Sequence, residues 1–119
     1  MSEPTPSPLS DNGAGAIAYI TPLPAIVFLV LEPYNKSSYV RFHSWQSIFL
    51  FIVAIVAWFA VAMVSGVAVL FAPFLIWALD LLVFFALCAL WLVCVLQALN
   101  GKRFKLPLLG ALAEKQAGV

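Results

Sequence analysis

His43, Gln46 and Ser47 follow i, i+3, i+4 spacing, so on a helix they share one face. An imidazole, an amide and a hydroxyl placed together can pass a proton, grip a polar ligand or cross-link neighbouring chain. Glu32, Asn35, Lys36 and Arg41 precede them, and Gln97 and Asn100 return far along the sequence. A second, sparser set comprises Asp80, Tyr19, Thr21 and Ser65. Asp80 is the single charge between Trp45 and Leu99. Polar groups embedded in such apolar sequence are costly in a bilayer, and each marks a site by default. For a lone histidine, helix capping and polar packing compete with a proton-switch role. For Asp80, an interhelical hydrogen bond competes with a protonatable or cation-contacting site.

The elements that carry these residues follow from composition. The chain has 119 residues, 65% hydrophobic and 9% charged, with mean hydropathy +1.08. Soluble domains carry about 25% charged residues. So few charges cannot cover a water-facing surface, and the expected class is an all-α polytopic integral membrane protein. No basic stripe suits nucleic acid. Segment 1–12 has Glu3 and Asp11 but no Lys or Arg, so it reads as a short disordered tail rather than a secretory signal.

Segment 13–31 would reach about 28 Å as a helix, close to the roughly 30 Å hydrocarbon core. Pro22 and Pro24 predict a kink within it. The run from Trp45 to Leu99 is too long for one crossing, and Ser65, Gly66 and Pro73 are its only breakers. Helices are therefore expected at 44–64 and 74–99, the latter closed by Asn100-Gly101. The remainder, 102–119, is a basic tail with Leu108, Leu109 and Leu112 on one face of a possible interfacial helix.

The cations test the count of spans. Lys36 and Arg41 lie in the first loop, and Lys102, Arg103, Lys105 and Lys115 in the tail. Three crossings place both groups in one compartment, which the positive-inside rule makes the cytoplasm. The expected topology is N-terminus out and C-terminus in. Glu32, Asn35, Lys36, Arg41, His43, Gln46, Ser47, Gln97 and Asn100 then form an inner polar cluster. Glu32 would pair with Arg41 or Lys102. The free N–H groups at the start of the second helix would suit a lipid phosphate. Asp80, Tyr19, Thr21 and Ser65 form an outer polar layer. Cys88 and Cys94 stand about 240° apart on a helix and read as small buried hydrophobes.

Zinc spacings, a phosphate loop, GxSxG and paired-cysteine motifs are all missing from the sequence. With one histidine and no second close acid, general acid–base chemistry has little material. The sequence therefore predicts no enzyme, no cofactor and no metal. Small-residue pairs such as Ala62 and Gly66 suggest close helix contacts. The expected partners are membrane lipid and either a second copy or another membrane protein.

The stretch Glu32-Pro33-Tyr34-Asn35-Lys36, then Val40 to Ser47, resembles the signature of a family of small bacterial membrane proteins of unknown function. The ending Gly101-Lys102, Phe104 to Pro107, Gly110 and Ala113-Glu114-Lys115 is similar to that family's ending. The family is grouped with the small membrane subunit of the chloroplast inner-envelope protein-import translocon. The resemblance spans about Gly13 to Ala117. It implies a non-enzymatic membrane component of a larger assembly in a bacterial inner membrane. A small oligomeric channel, with Asp80 and His43 along its path, and an anionic-lipid-binding scaffold are the alternatives.

Overall fold

The structure is a computed structural model that describes residues 10–118. Its elements are α1 (Asp11–Ile17), α2 (Pro22–Val30), a 3-10 turn (Tyr34–Lys36), α3 (Ser38–Ala68), α4 (Pro73–Leu99) and α5 (Leu109–Ala117). The expected tail at 1–12 falls mostly outside the described residues. Its last three residues do not belong to a tail. The Ser10 hydroxyl accepts from the Gly13 N–H at 3.0 Å, and α1 begins at Asp11. A side-chain acceptor at that position satisfies one of the donors a helix start leaves open.

Two helices, α3 and α4, are long and apolar enough to cross a membrane. At helical rise they measure about 46 and 40 Å. Both exceed the ranges expected from sequence. Ser37 starts α3, its hydroxyl accepting from Val40 N. Gly66 does not end it; the helix passes through to Ala68. The break comes at Val69–Ala72, where Pro73 takes the first position of α4 with its φ already helical. At the other end Gly101 has φ +76°, Gly101 N donates to Ala98 O, and Lys102 N donates to Gln97 O. This paired closure is the Schellman cap the Asn-Gly sequence anticipates.

Segment 13–31 departs from expectation. It is not one kinked helix but two short ones. Thr21 is extended, at φ −146° and ψ 169°, and Pro22 opens α2. The residue before a proline is pushed out of the helical region, so α1 ends rather than bends. At about 10 and 13 Å, neither piece can cross a bilayer. The two form a hairpin. Asn12 donates to Leu99 O at 3.2 Å, so α1 starts beside the C-terminal end of α4. Ser47 of α3 donates to Ala18 O, about two turns further in. Then α2 runs back along α3 to the 3-10 turn, and Phe28 meets Tyr34 at 4.8 Å between rings. Gly15 permits this close packing, since a Cβ there would stand 3.0 Å from Tyr39 and 3.3 Å from His43.

The C-terminal tail repeats the pattern on another side of α3. Its extended part descends to Leu106, which packs with Leu50, and α5 climbs back so that Ala117 O accepts from Arg41 Nε at 3.0 Å. The face of α5 that docks carries Gly110, Ala113 and Ala117, against Phe42. The leucine face expected to lead is split: Leu108 and Leu112 are exposed, while Leu109 packs against the cluster that holds Leu50 and Leu106. All three buried clusters therefore sit on the first third of α3. Beyond Leu50, α3 and α4 form a two-helix arm with most side chains exposed and a half-buried seam that includes Ala54, Ala57, Ser65, Ile76 and Asp80, in a molecule of 68 × 22 × 21 Å.

Candidate functional site

Tyr19, His43, Gln46 and Ser47 are fully buried, as is Ser44; the first four are joined by hydrogen bonds to the rest of the chain. His43, Gln46 and Ser47 share the expected face of α3. Tyr19 comes from the turn after α1, so it leaves the outer layer in which the three-crossing reading put it. The hairpin carries it back to the basic end.

The hydrogen bonds fix the donors. Lys102 O can only accept, so His43 Nε2 donates to it at 3.1 Å. His43 Nδ1 is then an acceptor, and Tyr19 Oη donates to it at 2.7 Å. Gln46 Nε2 donates to Tyr19 Oη and to Phe104 O, each at 2.8 Å, while its Oε1 accepts from Leu106 N at 3.1 Å. The Trp91 indole N–H donates to Tyr19 O. One cluster thus ties the hairpin, α3, α4 and the tail together. The aromatic rings of Tyr19, Tyr39 and Phe42 surround the imidazole edge-on. Every polar atom of His43 and Gln46 named here is taken by the chain itself, whereas the fully buried Ser44 hydroxyl beside them has no partner.

The other expected residues scatter around this seal. Glu32 pairs with Lys36 at 3.6 Å, both well exposed, rather than with Arg41 or Lys102; a pair so solvated contributes little. Arg41 spends Nε on Ala117 O and Nη1 on Asn35 O at 3.1 Å, neutralising the carbonyl end of α5. The Asn35 amide reaches Val30 O only at 3.5 Å, and its Oδ1 is buried without a partner. Gln97 and Asn100 enter through their backbone, in the cap of α4. The anion place expected at the start of α3 holds the Asp11 carboxylate, which accepts from Ser37 Oγ at 2.8 Å.

The outer layer dissolves as a cluster. Thr21 is exposed at the hairpin turn and makes no cap bond. Ser65 on α3 and Asp80 on α4 stay toward the far end, each half-buried with an oxygen lacking a partner. Ser65 lies about 22 Å along α3 from the Leu50 level reached by Tyr19. Sequence reasoning missed Trp91, Tyr39 and the tail backbone as members of the seal. Tyr39 Oη donates to Ala98 O at 2.5 Å. The available signal was that buried indole and phenol groups seek acceptors. Among the described residues no group of His, Cys, Asp and Glu could hold a metal ion.

The comparisons decide the class of protein. A UPF0132 membrane protein of Archaeoglobus fulgidus is 34% identical over 92% of this chain and 98% of its own length. The chain belongs to the UPF0132 membrane protein family. A UPF0132 membrane protein of Methanocaldococcus jannaschii is 36% identical over 90% of the chain and 88% of its own length. Another from the same organism is 30% identical over 90% of the chain and 70% of its own length. No family model matches the chain, and no solved structure matches it. UPF0132 membership makes this a membrane protein of a family of unknown function, as the resemblance implied at that coarse level. The relatives found are archaeal, where the resemblance pointed to bacterial proteins.

Proposed function

We propose that this protein is a non-enzymatic membrane scaffold that crosses the bilayer twice and engages anionic lipid headgroups from one side. The carrying observation is charge placement. Lys36, Arg41, Lys102, Arg103, Lys105 and Lys115 all belong to the end of the molecule where α3 starts and α4 stops. The far turn, Val69 to Phe74, is wholly apolar. Clustered cations beside a span attract anionic leaflets at about 1 kcal/mol each near the surface. Lys105, the deepest of them, pairs with Glu114 at 3.0 Å, and Arg103 leans on Ser38 Oγ at 2.6 Å. Lys102 is exposed at the rim. By the positive-inside rule this end faces the cytoplasm. The start of the hairpin lies there too, beside Leu99, which supports a reading with both described ends in one compartment.

Native mass spectrometry tests the reading. Protein released from vesicles of mixed phosphatidylglycerol and phosphatidylcholine is expected to retain phosphatidylglycerol preferentially. Lys102→Gln with Arg103→Gln is expected to lose most of that preference. Equal retention of the two lipids by the unaltered chain would remove the proposal.

One observation favours a second reading, a subunit of a larger assembly such as the translocon-related family implies. The arm leaves Ser65 and Asp80 with buried oxygens unpaired inside hydrocarbon-facing helices, a state that a neighbouring polar side chain would relieve. Photo-crosslinking in cells from position 80 would show a protein adduct under that reading and lipid alone under the first. The channel reading loses its basis in His43, whose two nitrogens are both engaged by the chain.

A further inference from the structure

The apolar outer face of α2 and the shape of the whole head carry a consequence for the membrane itself. Leu23 and Val30 are 70% and 73% exposed, and Ile26 and Val27 lie between them, about half exposed. α2 lies along α3, and α3 and α4 carry exposed apolar residues of their own, for which membership of a membrane-protein family supplies lipid as the contact. At both ends of the hairpin stand polar and charged groups: Asp11 and Asn12 where it enters, Glu32 and Lys36 where it leaves. The turn between, Ala18 to Thr21, reaches the level of Leu50 and Trp91. That level is about 18 Å along α3 from Ser38. Half of a bilayer with its headgroup regions is about 20–22 Å thick.

We propose that the α1–α2 hairpin, with α5 beside it, is inserted in one leaflet only, its α2 face against acyl chains and its ends at the anionic headgroups. Resting on the two-crossing topology above, this makes the protein a wedge. The leaflet on the basic side holds α1, α2 and α5 as well as the two spans. The opposite leaflet holds the two spans alone. A helix is a cylinder about 10 Å across, so three extra ones add roughly 240 Å² of cross-section to one leaflet. Unequal insertion is relieved when the crowded leaflet lies on the convex side, and such binding depends on curvature. The protein therefore favours membrane curved outward toward its basic end. α3 has the length for this placement. Its roughly 46 Å spans the 40–45 Å of core plus interfaces, which leaves the apolar turn Leu70–Phe74 at the far interface.

The test uses the full chain, fluorescently tagged and reconstituted into giant vesicles of mixed phosphatidylglycerol and phosphatidylcholine, with membrane tubes drawn out by a bead. Orientation is read from an impermeant thiol reagent on Lys102→Cys in a Cys88→Ala, Cys94→Ala background. Molecules with the basic end outward are expected to concentrate on the tube, several-fold over the parent vesicle, and more as the tube narrows. Molecules with the basic end inward are expected to be depleted there. Equal density on tube and vesicle in both orientations overturns the wedge and leaves the two-crossing topology standing. The reverse preference overturns it as well. Labelling of Lys36→Cys and Lys102→Cys from opposite faces removes the topology itself. A variant with Leu23→Asp and Val30→Asp separates lipid contact from folding. If it keeps its thermal transition, its enrichment on tubes is expected to fall; unchanged enrichment in that folded variant counts against the proposal.

Discussion

Tyr19 is the residue through which the two halves of the polar seal communicate. Its hydroxyl gives a hydrogen to His43 Nδ1 and takes one from Gln46 Nε2. Tyr19→Phe keeps the ring and leaves both partners short of a bond. A buried group left unpaired costs about 1–3 kcal/mol, so the thermal midpoint in detergent is expected to fall clearly. Gln46→Leu removes the anchors of Phe104 O and Leu106 N as well, and is expected to cost at least as much. Because the two side chains share a bond, the double variant should lose less than the sum, by about 0.5–3 kcal/mol; strict additivity would show that the cluster does not act as one unit. The face His43, Gln46, Ser47 was readable from spacing alone. Their partners were not, because three of them are backbone atoms of the tail and the other two, Tyr19 Oη and Ala18 O, belong to a segment assigned to the opposite end. Spacing reports which side chains travel together and is silent about carbonyl groups that reach them from elsewhere in the chain.

At the scale of elements, the tail is held by close approach as much as by hydrogen bonds. A Cβ on Gly110 would come within 2.4 Å of Lys105 Cβ and 2.8 Å of its backbone Cα, a clash with backbone that small rotations do not relieve. Gly110→Ala is expected to lift α5 from Phe42 and Trp45. Limited proteolysis between Lys105 and Lys115 should then proceed faster than in the unaltered protein, while a rate equal to that of the unaltered protein would show that the docking tolerates the methyl group. The long helices and the Asn-Gly cap of α4 could be read from hydropathy and turn chemistry. The hairpin could not be read in the same way. Pro22 and Pro24 were visible as breakers, but a kinked crossing and a turn have the same local sequence. What separates them is the run of small residues Gly13 to Ala16, which lets α1 lie against Tyr39 and Ala98. That is a tertiary fit with no periodic signature.

For the whole molecule, the decisive feature is its asymmetry along its long axis. One end gathers the cations, the sealed polar cluster and five helical segments; the other is two helices and an apolar turn. The positive-inside count could not distinguish three crossings from two with a hairpin, because both place every Lys and Arg on one side. Only the N-terminal segment, which has neither residue before Lys36, separates them. Its place beside Leu99 supports two crossings and a returning hairpin. The most direct measurement is labelling of single cysteines in sealed vesicles with a thiol reagent that cannot cross lipid, using Asn12→Cys, Lys36→Cys and Lys102→Cys in the Cys88→Ala, Cys94→Ala background. All three are predicted to react from the same face. Reaction of Asn12→Cys from the face opposite the other two would contradict the account.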